Sequence, residues 1–452
     1  MIFYRKGQAP SPYAFFVLPL FIFLFLFLTG EAFGETLRVG VALNVKIGTL
    51  SSSQAYTLVD AQGKRHSLSG SAPVKYLKGN SVEIKGKVLS LPVKIQGKAP
   101  VAWGSHPYRG SLELRQASSG ISVINVIDVE TYLRGVLKME ANPEWPQEVL
   151  KAQAVVARTY AVSHKGRHGA EGFDICALPH CQVYRGINAE DPRCDKAIQA
   201  TKGMTLVYQG KYALTPYHSD SGGSTADVRD VWGGSVPYLL PRQEPLTYTS
   251  PYSSWELSLS PRQVQEALQK MGFSVGEVYS MQVGTRDSYG RAITLQFSGS
   301  SGSKSVSAHR FRMALGSDVL RSTNFQVRSS GNIPIPSQPS AAGTISFKEQ
   351  QELSLMTQQG VFSTEELMDM LLHPEKQRTY LEKKRKGIPA PGTATGGNIP
   401  STRAGGFHLS GKGWGHGVGL SQWGARALAE QGWGWEKILN HYYPGTSIKK
   451  VK

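Results

Sequence analysis

The sequence predicts a mixed α+β fold, with a small β-rich part followed by a core of interleaved helices and strands. Three observations carry this. Between residues 37 and 127, short runs alternate apolar and polar side chains and are punctuated by Gly, Ser and Lys, the period-two pattern of half-buried strands. One strong helical repeat follows, with Val149, Ala152, Val155, Val156 and Thr159 recurring on one face. Beyond it, strand-like and helical segments are interleaved toward the C-terminus, with no internal repeat.

Taken in order, residues 1–34 read as a signal peptide. Arg5 and Lys6 give a positive start, and an apolar run of about 15 residues from Ala14 to Leu28 is short for a bilayer span. Ala32 and Gly34 suit cleavage after Gly34, and no Cys follows to carry a lipid. An uncleaved anchor is the competing reading of the same run. The expected location is outside the cytoplasm, in the periplasm or cell-wall space of a bacterium, with no integral membrane segment after cleavage.

Residues 35–125 are expected to form the β-rich part, with strands at 37–41, 56–59, 81–84 and 112–114. Residues 126–328 follow as the main core. In it, Trp145-Pro146-Gln147-Glu148 starts a helix that runs to Val162 or Ser163. A second helix is expected at 261–271 behind Ser260, a strand at 293–297 and a short helix at 309–315. Residues 329–405 read as a mobile insertion: Pro-rich borders at 332–339 and 388–393 enclose a charged helical piece at 364–385. Globular sequence resumes at residue 406, with a helix from Ser421 to Glu430.

Lys and Arg number 50 against 33 acidic residues, a net charge of +17. Such a chain favours an anionic partner, and for an exported chain that partner is a wall or envelope polymer rather than nucleic acid. Part of the excess lies in Lys383-Lys384-Arg385-Lys386, a run that by itself reads as a solvated face. Three cysteines, Cys176, Cys181 and Cys194, do not make a disulfide framework.

Three segments carry chemistry. In the first, Glu140 ends an apolar run just before Asn142-Pro143, and Lys151 and Arg158, seven positions apart, share a face of the next helix. Burial would raise the Glu140 pKa and nearby cations would lower it. A purely structural ion pair between Glu140 and Lys151 or Arg158 is the plainer alternative. The second segment, Tyr217-His218-Ser219-Asp220-Ser221-Gly222-Gly223-Ser224-Thr225, is a tight, polar loop able to orient a sugar. No Gly-x-Ser-x-Gly elbow supports a serine hydrolase. The third runs from Gly411 to Ala425. Five glycines in nine positions allow close backbone approach, Trp414 and Trp423 are candidates for sugar stacking, and Ser421 can cap the helix that follows. The Lys–Ser/Thr pair of a phosphate-binding loop is missing.

In this order, these segments resemble the SpoIID/LytB family of cell-wall proteins. Glu140 matches the family's Glu-Met-Pro-like motif, although Ala141-Asn142-Pro143 follows here. Lys151-Ala152-Gln153-Ala154 with Ala157-Arg158-Thr159-Tyr160 matches its helix. His416-Gly417-Val418-Gly419-Leu420-Ser421-Gln422-Trp423 matches its glycine motif, with Leu420 where Met is common.

The resemblance implies a SpoIID-like core and one of two functions. One is a peptidoglycan lytic transglycosylase acting on glycan strands stripped of stem peptides. The other is a non-catalytic, wall-binding enhancer of a cell-wall amidase. For the enzyme it implies Glu140 as the single acid/base, with Lys151 and Arg158 as catalytic partners. Tyr160, His218, Ser219, Gly222, Gly223, His416, Ser421 and Gln422 would contact substrate. Glycosidases that use water or a covalent intermediate need two carboxylates, whereas a transglycosylase that uses the sugar's own 6-hydroxyl needs one.

His168, Cys176, His180 and Cys181 bring two thiols and two imidazoles within fourteen positions. The spacing is not that of a zinc finger, but a looping chain can close a tetrahedral, structural Zn2+ site near the cleft. Some relatives of the resembled family carry a His/Cys zinc set at the equivalent place. A Cys176–Cys181 disulfide, pairing of Cys194 with either thiol, and His164 in place of His168 remain alternatives.

Overall fold

A computed structural model describes residues 35–245, 250–329, parts of 349–385 and 406–450. The expected signal peptide lies outside the described residues. Among those described, no helix is long and apolar enough to cross a membrane. The fold is α+β.

The alternating runs become strands because each buries every second side chain. Tyr56–Val59 and Ser81–Ile84 form as predicted, and the run at residue 37 extends to Thr36–Val45. A seven-stranded sheet runs in the order Ile175–Cys176, Thr36–Val45, Ile121–Asp128, Ser111–Gln116, Val93–Gly97, Tyr56–Val59, Arg65–Leu68. A six-stranded sheet has the order His106–Tyr108, Val101–Trp103, Ile47–Ser51, Ala72–Tyr76, Ser81–Ile84, Lys87–Ser90.

Both sheets feed one apolar core, which continues without a break into the helices through Leu133, Leu137, Leu150 and Ala154. The boundary expected at residue 125 falls inside the strand Ile121–Asp128. Ile175–Cys176, from the middle of the chain, pairs in parallel with the first strand. The β-rich part is therefore built into the core.

The helix Gln147–Ser163 is the hub. Pro146 sits at its N-cap, and Val149–Val162 is buried almost throughout. One side, with Leu150, Ala154, Ala157 and Ala161, packs on the β-rich core. The other, with Val149, Ala152, Val155 and Val156, packs on Leu428, Ile438, Leu439 and Tyr442 of the C-terminal helices Gln422–Glu430 and Trp435–Tyr442. A third core gathers Val264, Leu268, Phe297, Phe311 and Phe325 around the helices Pro261–Lys270 and Ala308–Leu315. The first of these helices is fixed by a capping box between Ser260 and Gln263.

Phe325–Ser329 pairs antiparallel with Phe407–Gly411, and Ser329 lies opposite Phe407. The long insertion therefore leaves and re-enters the core at neighbouring positions of a hairpin. Its described residues include the helix Gln377–Arg385 and a small apolar cluster of Met356, Phe362, Met370 and Leu381. Within the basic run, Lys384 pairs with Glu366 at 2.9 Å and Arg385 with Glu352 at 2.6 Å.

Candidate active site

Two very short strands assemble the site. Tyr217–His218 pairs in parallel with Leu420–Ser421, in the register Tyr217 to Leu420 and His218 to Ser421. This joins the second and third motif segments across some two hundred residues of chain. Glycines make the junction possible. Gly413 has φ +77° against the backbone of Asp220 and Gly222, and Gly415 has φ +130° with His218 where a Cβ would stand.

Beside this junction lies a cavity of about 460 Å³, lined by Glu140, Tyr160, His164, Arg167, His180, Cys181, Gln182, Val183, Tyr217, Trp232 and His416, among others. Its size is that of a small-ligand cleft. Glu140 closes the short helix Leu137–Glu140 and presents the only carboxylate in the lining. Burial pushes its pKa up to about 7, outweighing hydrogen bonds from the Tyr217 hydroxyl and the Val183 backbone N–H that favour the charged form. A relay of donors stands behind it. The Tyr132 hydroxyl donates to Gln182 Oε1 at 3.2 Å, and Gln182 Nε2 donates to the Tyr217 hydroxyl at 3.4 Å. The main chain of Glu140 is held as well: its carbonyl accepts from Gln422 Nε2 at 2.6 Å.

The expected partners of Glu140 are elsewhere. Lys151 pairs with Glu148 at 2.6 Å, one turn back on its own helix. Arg158 is 1% exposed and forks onto Glu130 at 2.8 and 2.7 Å, with a further bond to the Met204 carbonyl. The expected ion pair with Glu140 is thereby corrected. The shared helix face is real, but it meets Glu130 and Glu148.

Of the expected substrate contacts, Tyr160 and His416 line the cavity. Tyr160 stacks on His164 with ring centres 4.0 Å apart. His416 accepts from the Val418 N–H at Nδ1, and burial, reinforced by Arg312 and His309, lowers its pKa to about 3, so it is a neutral ring. His218 lies behind it, buried and likewise shifted well down, its Nδ1 on the Val418 carbonyl. Gln422 reaches the site through the Glu140 backbone.

Ser219, Gly222, Gly223 and Ser421 do not line the cavity. Ser421 is fully buried; its hydroxyl accepts from Gly424 N as an N-cap and from Ser221 N. Gly222 and Gly223 take positive φ in the turn packed on Lys412. These four residues hold the junction together. Trp414 packs edge-on against Tyr252, and Trp423 against Trp145, so neither expected stacking ring faces the cavity.

Sequence reasoning placed Tyr217 in the second segment without linking it to Glu140, and missed Gln182, Val183, Arg167 and Trp232. Trp232 ends the short helix Val228–Trp232, is 46% exposed and lies 5.0 Å from the His416 ring. A large aromatic followed by Gly233-Gly234 was the one local signal for it.

The four proposed metal ligands do converge. His168, Cys176, His180 and Cys181 place one ligand atom each within 4.8 Å of one another. Cys181 Sγ lies 3.4 Å from His168 Nε2 and 3.5 Å from His180 Nδ1, and Cys176 Sγ lies 3.7 Å from the same Nδ1. His168 Nδ1 faces Glu171 at 2.6 Å, the outer carboxylate often found behind a ligating histidine. All three cysteines are free thiols, so neither expected disulfide alternative forms. A hydrogen bond between the two cluster thiols pulls the Cys176 pKa down and pushes that of Cys181 up. Cys194 is buried apart, in the helix Pro192–Ala200, and His164 turns to the Tyr160 carbonyl. The cluster could hold a metal.

Fold and site together define a cleft protein with a single, half-buried acid in the cavity lining, flanked by a four-donor cysteine–histidine cluster. Residues 117–208 match the family model described as Stage II sporulation protein, SpoIID. The chain is 28% identical over 327 residues to the amidase enhancer of Bacillus subtilis, covering 70% of this chain and 40% of that protein. It is 25% identical over 349 residues to stage II sporulation protein D of Bacillus amyloliquefaciens, covering 74% and 77%. It is also 25% identical over 342 residues to an uncharacterized protein of Brachyspira hyodysenteriae, covering 75% and 72%. These likenesses support the SpoIID/LytB family for this chain.

Proposed function

We propose that this chain is an exported, cell-wall-acting lytic transglycosylase that cuts peptidoglycan glycan strands with Glu140 as its only acid/base. The observation that carries the reading is the cleft's single carboxyl, poised near pH 7, with no second carboxylate in the lining to serve a two-carboxylate hydrolysis. Protonated Glu140 gives its proton to the glycosidic oxygen as the C1–O bond of the muramoyl residue breaks. The 6-hydroxyl of that residue then bonds to C1, and the Glu140 carboxylate takes the hydroxyl proton. The products are a free 4-hydroxyl and a 1,6-anhydro end, and Glu140 is again protonated. Tyr217 and Val183 hold the carboxylate form between the two transfers. Trp232 and the neutral His416 ring offer an apolar, aromatic wall for a sugar face.

The cysteine–histidine cluster fits Zn2+, which takes tetrahedral thiolate and imidazole ligands. Four protein ligands leave no open position, so the metal would be structural. It would fix the loop whose next two residues, Gln182 and Val183, hold Tyr217 and Glu140. Metal analysis of chelator-free protein, before and after Cys176→Ser, tests this; about one zinc per chain, lost with the variant, is expected. Protein without zinc would overturn the assignment.

The relative named amidase enhancer supports a second reading, a wall-binding stimulator of an amidase. The two separate on Glu140→Gln, which stops strand cleavage under the first and leaves amidase stimulation whole under the second.

A further inference from the structure

The cavity holds one permanently charged cation, Arg167, and no carboxylate answers it. Its Nη1 donates to the Tyr160 hydroxyl at 3.2 Å and its Nη2 to His180 Nε2 at 3.3 Å, both uncharged acceptors in that role. Among the described residues it forms no ion pair, although ten or more of the chain's other arginines and lysines do. Arg167 is also absent from the groups that shift Glu140, so it does not serve as that acid's counter-ion. Arg167 is exposed, and its two arms reach only a hydroxyl and a ring nitrogen, so the guanidinium charge faces the cleft without an anion.

Resting on the glycan-strand reading above, we propose that Arg167 is a specificity residue that receives the free lactyl carboxylate of a muramoyl residue bound in the cleft. A guanidinium pairs with a carboxylate through parallel, charge-assisted hydrogen bonds. In a glycan strand the repeating carboxylate belongs to the lactyl ether of the muramoyl sugar. A stem peptide converts that carboxylate into an amide, which carries no charge and offers one oxygen instead of two. Arg167 thus makes the cleft favour strands already stripped of peptide, by recognition of the group that stripping exposes. The carboxylates of a stem peptide are the other source of the same chemistry, and the binding partners below separate the two.

The test is equilibrium binding to metal-loaded mature protein carrying Glu140→Gln, so that no probe is consumed. Three muramoyl-containing tetrasaccharides serve as probes: the free lactyl acid, its methyl ester, and the form bearing stem peptides. The free acid should bind about tenfold or more tighter than either other form, the loss of a charge-assisted bond accounting for the gap. Arg167→Gln should bring all three to one affinity, and Arg167→Lys should restore part of the preference, with metal content and Tm unchanged in both. Equal binding of acid and ester, preference for the peptide-bearing form, or failure to bind any probe would overturn the proposal. Retained preference for the acid, in a protein with intact Glu140 that cleaves no strand, would instead sink the transglycosylase reading and leave this one standing.

Discussion

Replacing Glu140 by Gln should stabilise the protein at neutral pH while disabling it. The carboxyl has an ordinary pKa of 4.5 and is raised to about 7 in the fold by burial. Below pH 4.5 it is neutral in both folded and unfolded chains and its burial costs no charge. As pH rises from there the unfolded chain ionises and the folded one resists, so stability falls until the folded pKa is passed. At 1.36 kcal/mol per pH unit, the gap amounts to about 3 kcal/mol. Glutamine keeps the shape and the acceptor oxygen for Tyr217 and Val183 but never ionises. The stability difference between variant and wild type should therefore grow by about 3 kcal/mol between pH 4 and pH 8, in favour of the variant. Denaturant midpoints at four pH values in that range, with m-values compared to confirm like transitions, measure it. Taking the difference at each pH removes the contributions of every other titrating group. A difference that stays flat across the range would refute the raised pKa.

Four further outcomes follow from the site and the hairpin beside it. Tyr217→Phe removes a donor to the Glu140 carboxylate, so the pKa should rise and the alkaline limb of kcat/KM move up by about one pH unit; a limb that stays in place contradicts the contact. Gln422→Leu frees the Glu140 carbonyl and should lower kcat at least about tenfold, whereas Ser421→Ala should cost about 1–2 kcal/mol of stability with normal turnover per folded molecule. Because Ser329 and Phe407 sit opposite each other in a hairpin, replacing residues 332–404 with a short turn should leave folding and cleavage of soluble strands intact; loss of cleavage by folded protein would show that the insertion contributes to the cleft.

Much of the scaffold was legible because its elements are long enough to show a period. Tyr56–Val59 and Ser81–Ile84 alternate clearly, and Gln147–Ser163 repeats over several turns behind a proline. The pieces that make the site are too short for that. Ile175–Cys176, Tyr217–His218 and Leu420–Ser421 are two residues each, and they exist only because distant chain brings them a partner. Glu140 and the four cluster ligands could be named because their residue types and motif positions are unusual. The link from Tyr217, Gln182 and Val183 to Glu140 could not, since a relay of ordinary polar groups is defined by geometry alone. The misplaced ion-pair partners of Lys151 and Arg158 have the same origin. Helical spacing showed that they share a face, but not that Glu130, from the helix Val129–Arg134, would meet it.

Glu140 is proposed to cut glycan strands without water as the nucleophile. Mass spectrometry of denuded strands incubated with mature protein tests it most directly. Wild-type protein should release fragments ending in 1,6-anhydro-muramoyl residues, and Glu140→Gln should release none while remaining folded. Digestion by the Gln variant at the wild-type rate, or wild-type fragments bearing ordinary reducing ends from water addition, would contradict the account.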